Sequence, residues 1–134
     1  MSLALTTTLP VSFAEAVERT RIALADQGFG ILTEIDVQAT LKTKLDEDME
    51  PYLILGACNP QLAHRALGVQ RQIGLLLPCN VVVRSDPDHP DHTLVEAMNP
   101  ALMVQVSDEP GLEPVATEAA EKLRAAIDAL SSPA

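Results

Sequence analysis

Both cysteines of this 134-residue chain fall in one stretch, Tyr52 to Val83, where Cys58-Asn59-Pro60 and Pro78-Cys79-Asn80 bracket a single predicted helix. Thiolates serve as nucleophiles, as soft metal ligands or as halves of a redox couple. Cys58 lies just before a helix start, where unpaired amides and the positive end of the helix favour the thiolate over the thiol. His64, one turn into that helix, is near enough to act as an acid–base partner or a third ligand. Asn59 and Asn80 flank the two cysteines. The candidate ligand-binding residues are therefore Cys58, Asn59, His64, Cys79 and Asn80, and the candidates for both catalysis and metal binding are Cys58, Cys79 and His64.

Spacing and residue type limit each of these uses. The cysteines are far from a Cys-x-x-Cys arrangement, and three ligands fall short of a closed structural zinc site, so a metal site here would be open, shared across a dimer or specific for a softer ion. Free cysteine is also among the most buried residue types, and two small core residues at a strand end account for the pair without any chemistry. Helix capping and turn hydrogen bonds account for Asn59 and Asn80, and an ordinary surface position for His64. Topology decides between these alternatives. If strands 52–58 and 80–84 are antiparallel neighbours the thiols share one sheet end; if parallel, they sit at opposite ends.

A second polar group, Asp86, Asp88, His89, Asp91 and His92, looks like a set of hard-metal ligands. It fails the EF-hand pattern, because the sixth place from Asp86 is Asp91 rather than glycine and the twelfth is Ala97. A solvated hairpin tip fits it better. The chain has no G-x-S-x-G, no H-E-x-x-H and no Gly-rich phosphate loop, so the hydrolase, zinc-protease and nucleotide chemistries that use them are unsupported.

The elements that must position these residues follow from periodicity. Leu3 to Leu9 alternates weakly, and Ser12-Phe13-Ala14-Glu15 fits a capping box for a helix whose apolar face is Phe13, Ala16, Val17, Thr20, Ala23 and Leu24, ended by Gly28. Phe29, Ile31, Thr33 and Ile35 suggest one face of a strand; Asp36 caps a short helix with Val37, Leu41 and Leu45 inward, stopped by the acidic run 46–50 and Pro51. Tyr52 to Leu55 reads as a central strand, Asn59-Pro60 opens the next helix, and Leu75-Leu76-Leu77 returns the chain to a strand at Asn80 to Arg84. Ser85 to His92 forms a turn to a partner strand, Thr93 to Met98. Asn99-Pro100 repeats the earlier helix-opening punctuation, and a last helix runs from about Pro114 to Leu130. Hairpins and short connections favour a single α+β domain over residues 1–134, a two-layer sandwich with a largely antiparallel sheet and helices on one face.

Composition narrows the partners. Apolar residues make up 47% of the chain and aromatics 2%, so the core is aliphatic and exposed stacking platforms for single-stranded nucleic acid are not expected. A formal charge of −10 repels a phosphate backbone. No apolar run approaches the roughly 18 residues that span a bilayer, and the N-terminus has no basic segment followed by a long apolar one, so no membrane partner and a cytoplasmic location are expected.

The runs GFGILTEIDVQATLKTKL (Gly28 to Leu45), PYLILGACNPQLAHRAL (Pro51 to Leu67) and IGLLLPCNVVV (Ile73 to Val83) resemble the DUF302 family of small, mostly prokaryotic domains of unknown function. The turn after Val83, rich in Pro, Asp and His, departs from the family's short hairpin. The resemblance implies a curved antiparallel sheet similar to that of the TATA-binding protein, often seen as a homodimer, and it implies no reaction or cofactor. Three functions follow as expectations. The first is a binding or sensing domain with a small-molecule or soft-metal site around Cys58 and Cys79. The second is a thiol-dependent redox or transfer enzyme using Cys58, with Cys79 as the resolving thiol. The third is a dimeric interaction module with structural cysteines.

Overall fold

The computed structural model describes residues 2–131. Five strands, β1 (Ala4–Leu9), β2 (Gly30–Asp36), β3 (Tyr52–Cys58), β4 (Cys79–Asp86) and β5 (His89–Met98), form one sheet in the order β1-β5-β4-β3-β2. Every neighbouring pair is antiparallel. Five helices complete the fold: α1 (Phe13–Asp26), α2 (Val37–Leu45), α3 (Pro60–Val69), α4 (Ala101–Ser107) and α5 (Glu113–Ser131). Among the described residues, no helix is long and apolar enough to cross a membrane.

Local chemistry sets most of the boundaries. The Ser12 side chain accepts the Glu15 amide at 3.2 Å, as the capping box requires, but the Glu15 carboxylate pairs with Arg19 instead of reaching back. Asp36 accepts the Ala39 amide at 2.9 Å to start α2, and Asn59 accepts the Leu62 amide at 3.3 Å to start α3, with Pro60 in the first turn. Gly28 takes φ +84° just past α1, the left-handed conformation that lets the chain reverse into β2.

Two apolar clusters make up the interior. In the first, Leu5, Leu55, Val81, Val83 and Val95 pack against Leu24 of α1 and Leu123 and Ile127 of α5, covering one face of the sheet. In the second, Leu62 and Ala66 of α3, Ile73, Met103 of α4 and Leu112 pack against Val115, Ala116 and Ala119 of α5. The α5 helix belongs to both.

Two sequence expectations need correction. The α2 helix buries none of its residues, and Leu45 is 65% exposed, because the helix flanks the edge of the sheet, packing mainly against β2 and β3. The face expected for Phe29, Ile31, Thr33 and Ile35 is broken by a register shift between Ile31 and Thr33, which turns Ile35 away from the core, leaving it 49% exposed. The Leu75-Leu76-Leu77 run returns the chain to β4 by way of a helical turn. A 3₁₀ helix, Arg71–Leu76, buries Ile73 and leaves Leu75 84% exposed. The predicted β4–β5 hairpin is present, but its strands extend to Asp86 and His89, so the turn is short.

Gly56 sits in β3 where a Cβ would stand 2.9 Å from Pro78 Cγ and also against Thr33 Oγ1. Gly56→Ala is therefore expected to destabilise the fold by about 1–3 kcal/mol through overpacking. Urea denaturation checks this; an unchanged midpoint would mean that the β2–β3–β4 contact yields freely.

Candidate functional site

Antiparallel pairing of β3 and β4 brings the cysteines to the same end of the sheet. Cys58 is the last residue of β3 and Cys79 the first of β4, with Ala57 directly opposite Cys79. A one-residue diagonal at ordinary strand spacing and rise puts their Cα atoms about 6 Å apart. Both are free thiols; Cys58 is half-buried and Cys79 is 6% exposed.

Cys58 and Cys79 both line one cavity of about 20 Å³, where the end of the sheet meets α3, α4 and α5; Cys79 does so from the inner sheet face, and Cys58, which alternates with Ala57, from the end of β3. Phe29, Leu62, Leu77 and Met103 are among its walls, and Asn59 is the polar side chain at its edge. The volume suits a single water-sized guest. Burial, and secondarily the charge of Cys58, pushes the Cys79 thiol up from its ordinary 9.0 to about 11. Cys79 is therefore a neutral thiol at physiological pH, and any exchange reaction must begin at the more accessible Cys58.

Asn59 does two structural jobs here. Its Oδ1 caps α3, and its Nδ2 lies 3.1 Å from the place a Cβ on Gly28 would occupy. His64 does not line the cavity. It is exposed, because Leu62 and Ala66 take the inward stripe of α3 and a residue two places from each projects from the far side. Asn80 is exposed too. It alternates with Cys79, so it stands on the opposite sheet face, across from Gly56.

Met103 is the cavity residue that sequence reasoning missed. It lies on α4 and is 2% exposed. Pro100 is the N-cap of α4, and Asn99 just before it accepts the Ala101 amide on its Oδ1 at 3.1 Å, so the expected Asn-capped, Pro-led start is shifted by one residue. The recurring Asn-Pro punctuation marked that helix start, but nothing in the sequence placed α4 beside the ends of β3 and β4.

The hairpin group stays at the surface. Asp86 accepts the Asp88 amide at 2.9 Å, and the His89 and His92 rings lie tilted by 57° with centroids 5.7 Å apart. Among the described residues, no three His, Cys, Asp or Glu side chains gather as a metal site, here or elsewhere.

Comparison with known proteins agrees with this fold. The crystal structure of an uncharacterized conserved protein DUF302 from Bacillus stearothermophilus superposes with a TM-score of 0.87 at 29% identity, covering 96% of this chain and 98% of that one. Among curated proteins no match is found. The family model described as "Domain of unknown function DUF302" matches residues 5–130. With that match spanning nearly its whole length, the chain belongs to the DUF302 family.

Proposed function

We propose that this chain is a small binding domain whose site is the Cys58/Cys79 cavity, and that its guest is a single soft metal ion held by the two thiolates. The observation that carries this reading is that both cysteines of the protein line one cavity of about 20 Å³. Pockets for organic ligands have volumes of roughly 300–1,000 Å³, so a molecule of that size is a poor fit. A cytoplasmic location, where thiols stay reduced, suits the reading.

Differential alkylation tests it. With one equivalent of silver(I), Cys58 of the reduced protein should resist iodoacetamide, and Cys79→Ser should abolish that protection. Cys58 labelling that is equally fast with and without the ion would refute the site. Loss of both thiols to an intramolecular disulfide under mild oxidant, without ion protection, would move the function to thiol redox chemistry.

A second reading, a homodimer through the outer sheet face, rests on a separate observation. Across that face Ile35 pairs with Ile54, and Ile54 with Val82; Tyr52 and Leu94 flank Arg84, whose Nε donates to Glu96 at 2.6 Å. These residues form an apolar patch on a face that also carries Asn80 and Thr33, and its Arg84 and Glu96 charges are paired, whereas the chain as a whole carries −10. Two copies meet there with little repulsion. Sedimentation should show a dimer at micromolar concentration and a monomer for Val82→Glu; a monomeric parent would count decisively against this interface.

The raised thiol also predicts a pH dependence. Between pH 9 and 11 the unfolded chain has lost the Cys79 proton and the folded chain keeps it, so stability falls as pH rises through that window and is level below it. The loss should be on the order of 2–3 kcal/mol. Urea midpoints from pH 8 to 11 measure it, and Cys79→Ala should remove that part of the slope while the lysine and tyrosine contributions persist.

A further inference from the structure

We propose that Met103 completes a three-sulfur ligand set with Cys58 and Cys79, and that the ion this site takes is cuprous copper in preference to zinc. This rests on the reading of the Cys58/Cys79 cavity as the binding site. Met103 lines the same cavity from α4. Its thioether is soft and unbranched, with three rotatable bonds, so it can present sulfur to a guest without moving the helix.

The donor set discriminates between ions. No three His, Cys, Asp or Glu side chains gather in the described structure, and the remaining walls of the cavity are largely hydrocarbon. Zinc bound here would have two thiolates and would lack the nitrogen, oxygen or further thiolate ligands that fill its tetrahedron. Cuprous ion accepts low coordination and favours thiolate and thioether sulfur. The small volume points the same way, since it leaves no room for the waters that would complete a zinc shell.

Binding exchanges two thiol protons for one monovalent cation, and the protons leave to solvent. Copper enters and remains as Cu(I), so no electron is transferred. The bound group, with two thiolates and one cation, has a net charge of −1. The first turn of α3, opened by Asn59 immediately after Cys58, sets the positive end of its dipole beside that charge. Because protons are released, apparent affinity should rise with pH across the neutral range.

Anaerobic titration with Cu(I) against a competing chelator, using the full reduced chain, tests the assignment, with X-ray absorption on the loaded wild type. One equivalent should bind, and the spectrum should count three sulfur neighbours. Met103→Leu preserves volume and is expected to fold. It should weaken Cu(I) binding about tenfold, leave zinc binding unchanged and reduce the sulfur count to two. Wild-type Cu(I) affinity in Met103→Leu together with two sulfurs in the wild-type spectrum would overturn the role of Met103 while leaving the thiol site intact. Cu(I) affinity unchanged in both Cys58→Ser and Cys79→Ser would overturn the site itself, and zinc binding tighter than Cu(I) would overturn the choice of ion.

Discussion

The packing of α5 is the constraint on which the rest of the molecule depends. Its inward stripe, Val115, Ala116, Ala119, Leu123, Ala126, Ile127 and Leu130, recurs at helical spacing along 19 residues. The first part of that stripe closes the helical cluster around Leu62, Ile73 and Met103, and the second closes the sheet cluster around Leu5, Val81 and Val95. Neither cluster is complete without it. A buried leucine such as Leu123 contributes about 2–5 kcal/mol at a site of this kind, a large part of a domain's total stability. Alanines between the large residues let the helix approach closely.

The thiol cavity lies at the seam between those two clusters. Ala57 and Phe29 belong to the sheet side, while Leu62, Met103 and Val115 belong to the helical side, and all five line it. Side chains meeting across such a seam come from surfaces of different curvature, and small residues there leave a gap. With two phenylalanines and no tryptophan in the chain, few large rings are available to fill it. The cavity is therefore a consequence of how the layers join, and Cys58, Cys79 and Met103 lie along that join.

The fold was legible where local chemistry and periodicity agreed. Ser12, Asp36 and Asn59 each start a helix through the side-chain bond that their residue types imply, and the antiparallel α+β class followed from short connections. Legibility failed where an apolar run had no surface to meet. Leu75 and Leu45 look like core residues in sequence, but one lies on a short 3₁₀ turn and the other on a helix beyond the sheet edge. At the site, the bracketing of one helix by two cysteines was visible, and so was the outward side of α3 that His64 takes, because Leu62 and Ala66 mark the buried stripe. The approach of α4 was not, since it needed tertiary packing, which periodicity along one element does not contain.

β4 raises a last question, because its central Val81-Val82-Val83 fits either sheet face equally well. A one-residue slip would exchange inward and outward residues along the whole strand. The valines alone would not resist it, since each face would still receive β-branched side chains. The residues at the two ends would resist. A slip would turn Cys79 outward, bring Asn80 into the apolar interior and bury Arg84 away from Glu96, which it meets at 2.6 Å on the outer face. Burying an unpartnered amide costs roughly 1–3 kcal/mol, and a guanidinium more. Asn80 thus has a physical role without touching a ligand: it helps fix the register that points Cys79 into the cavity.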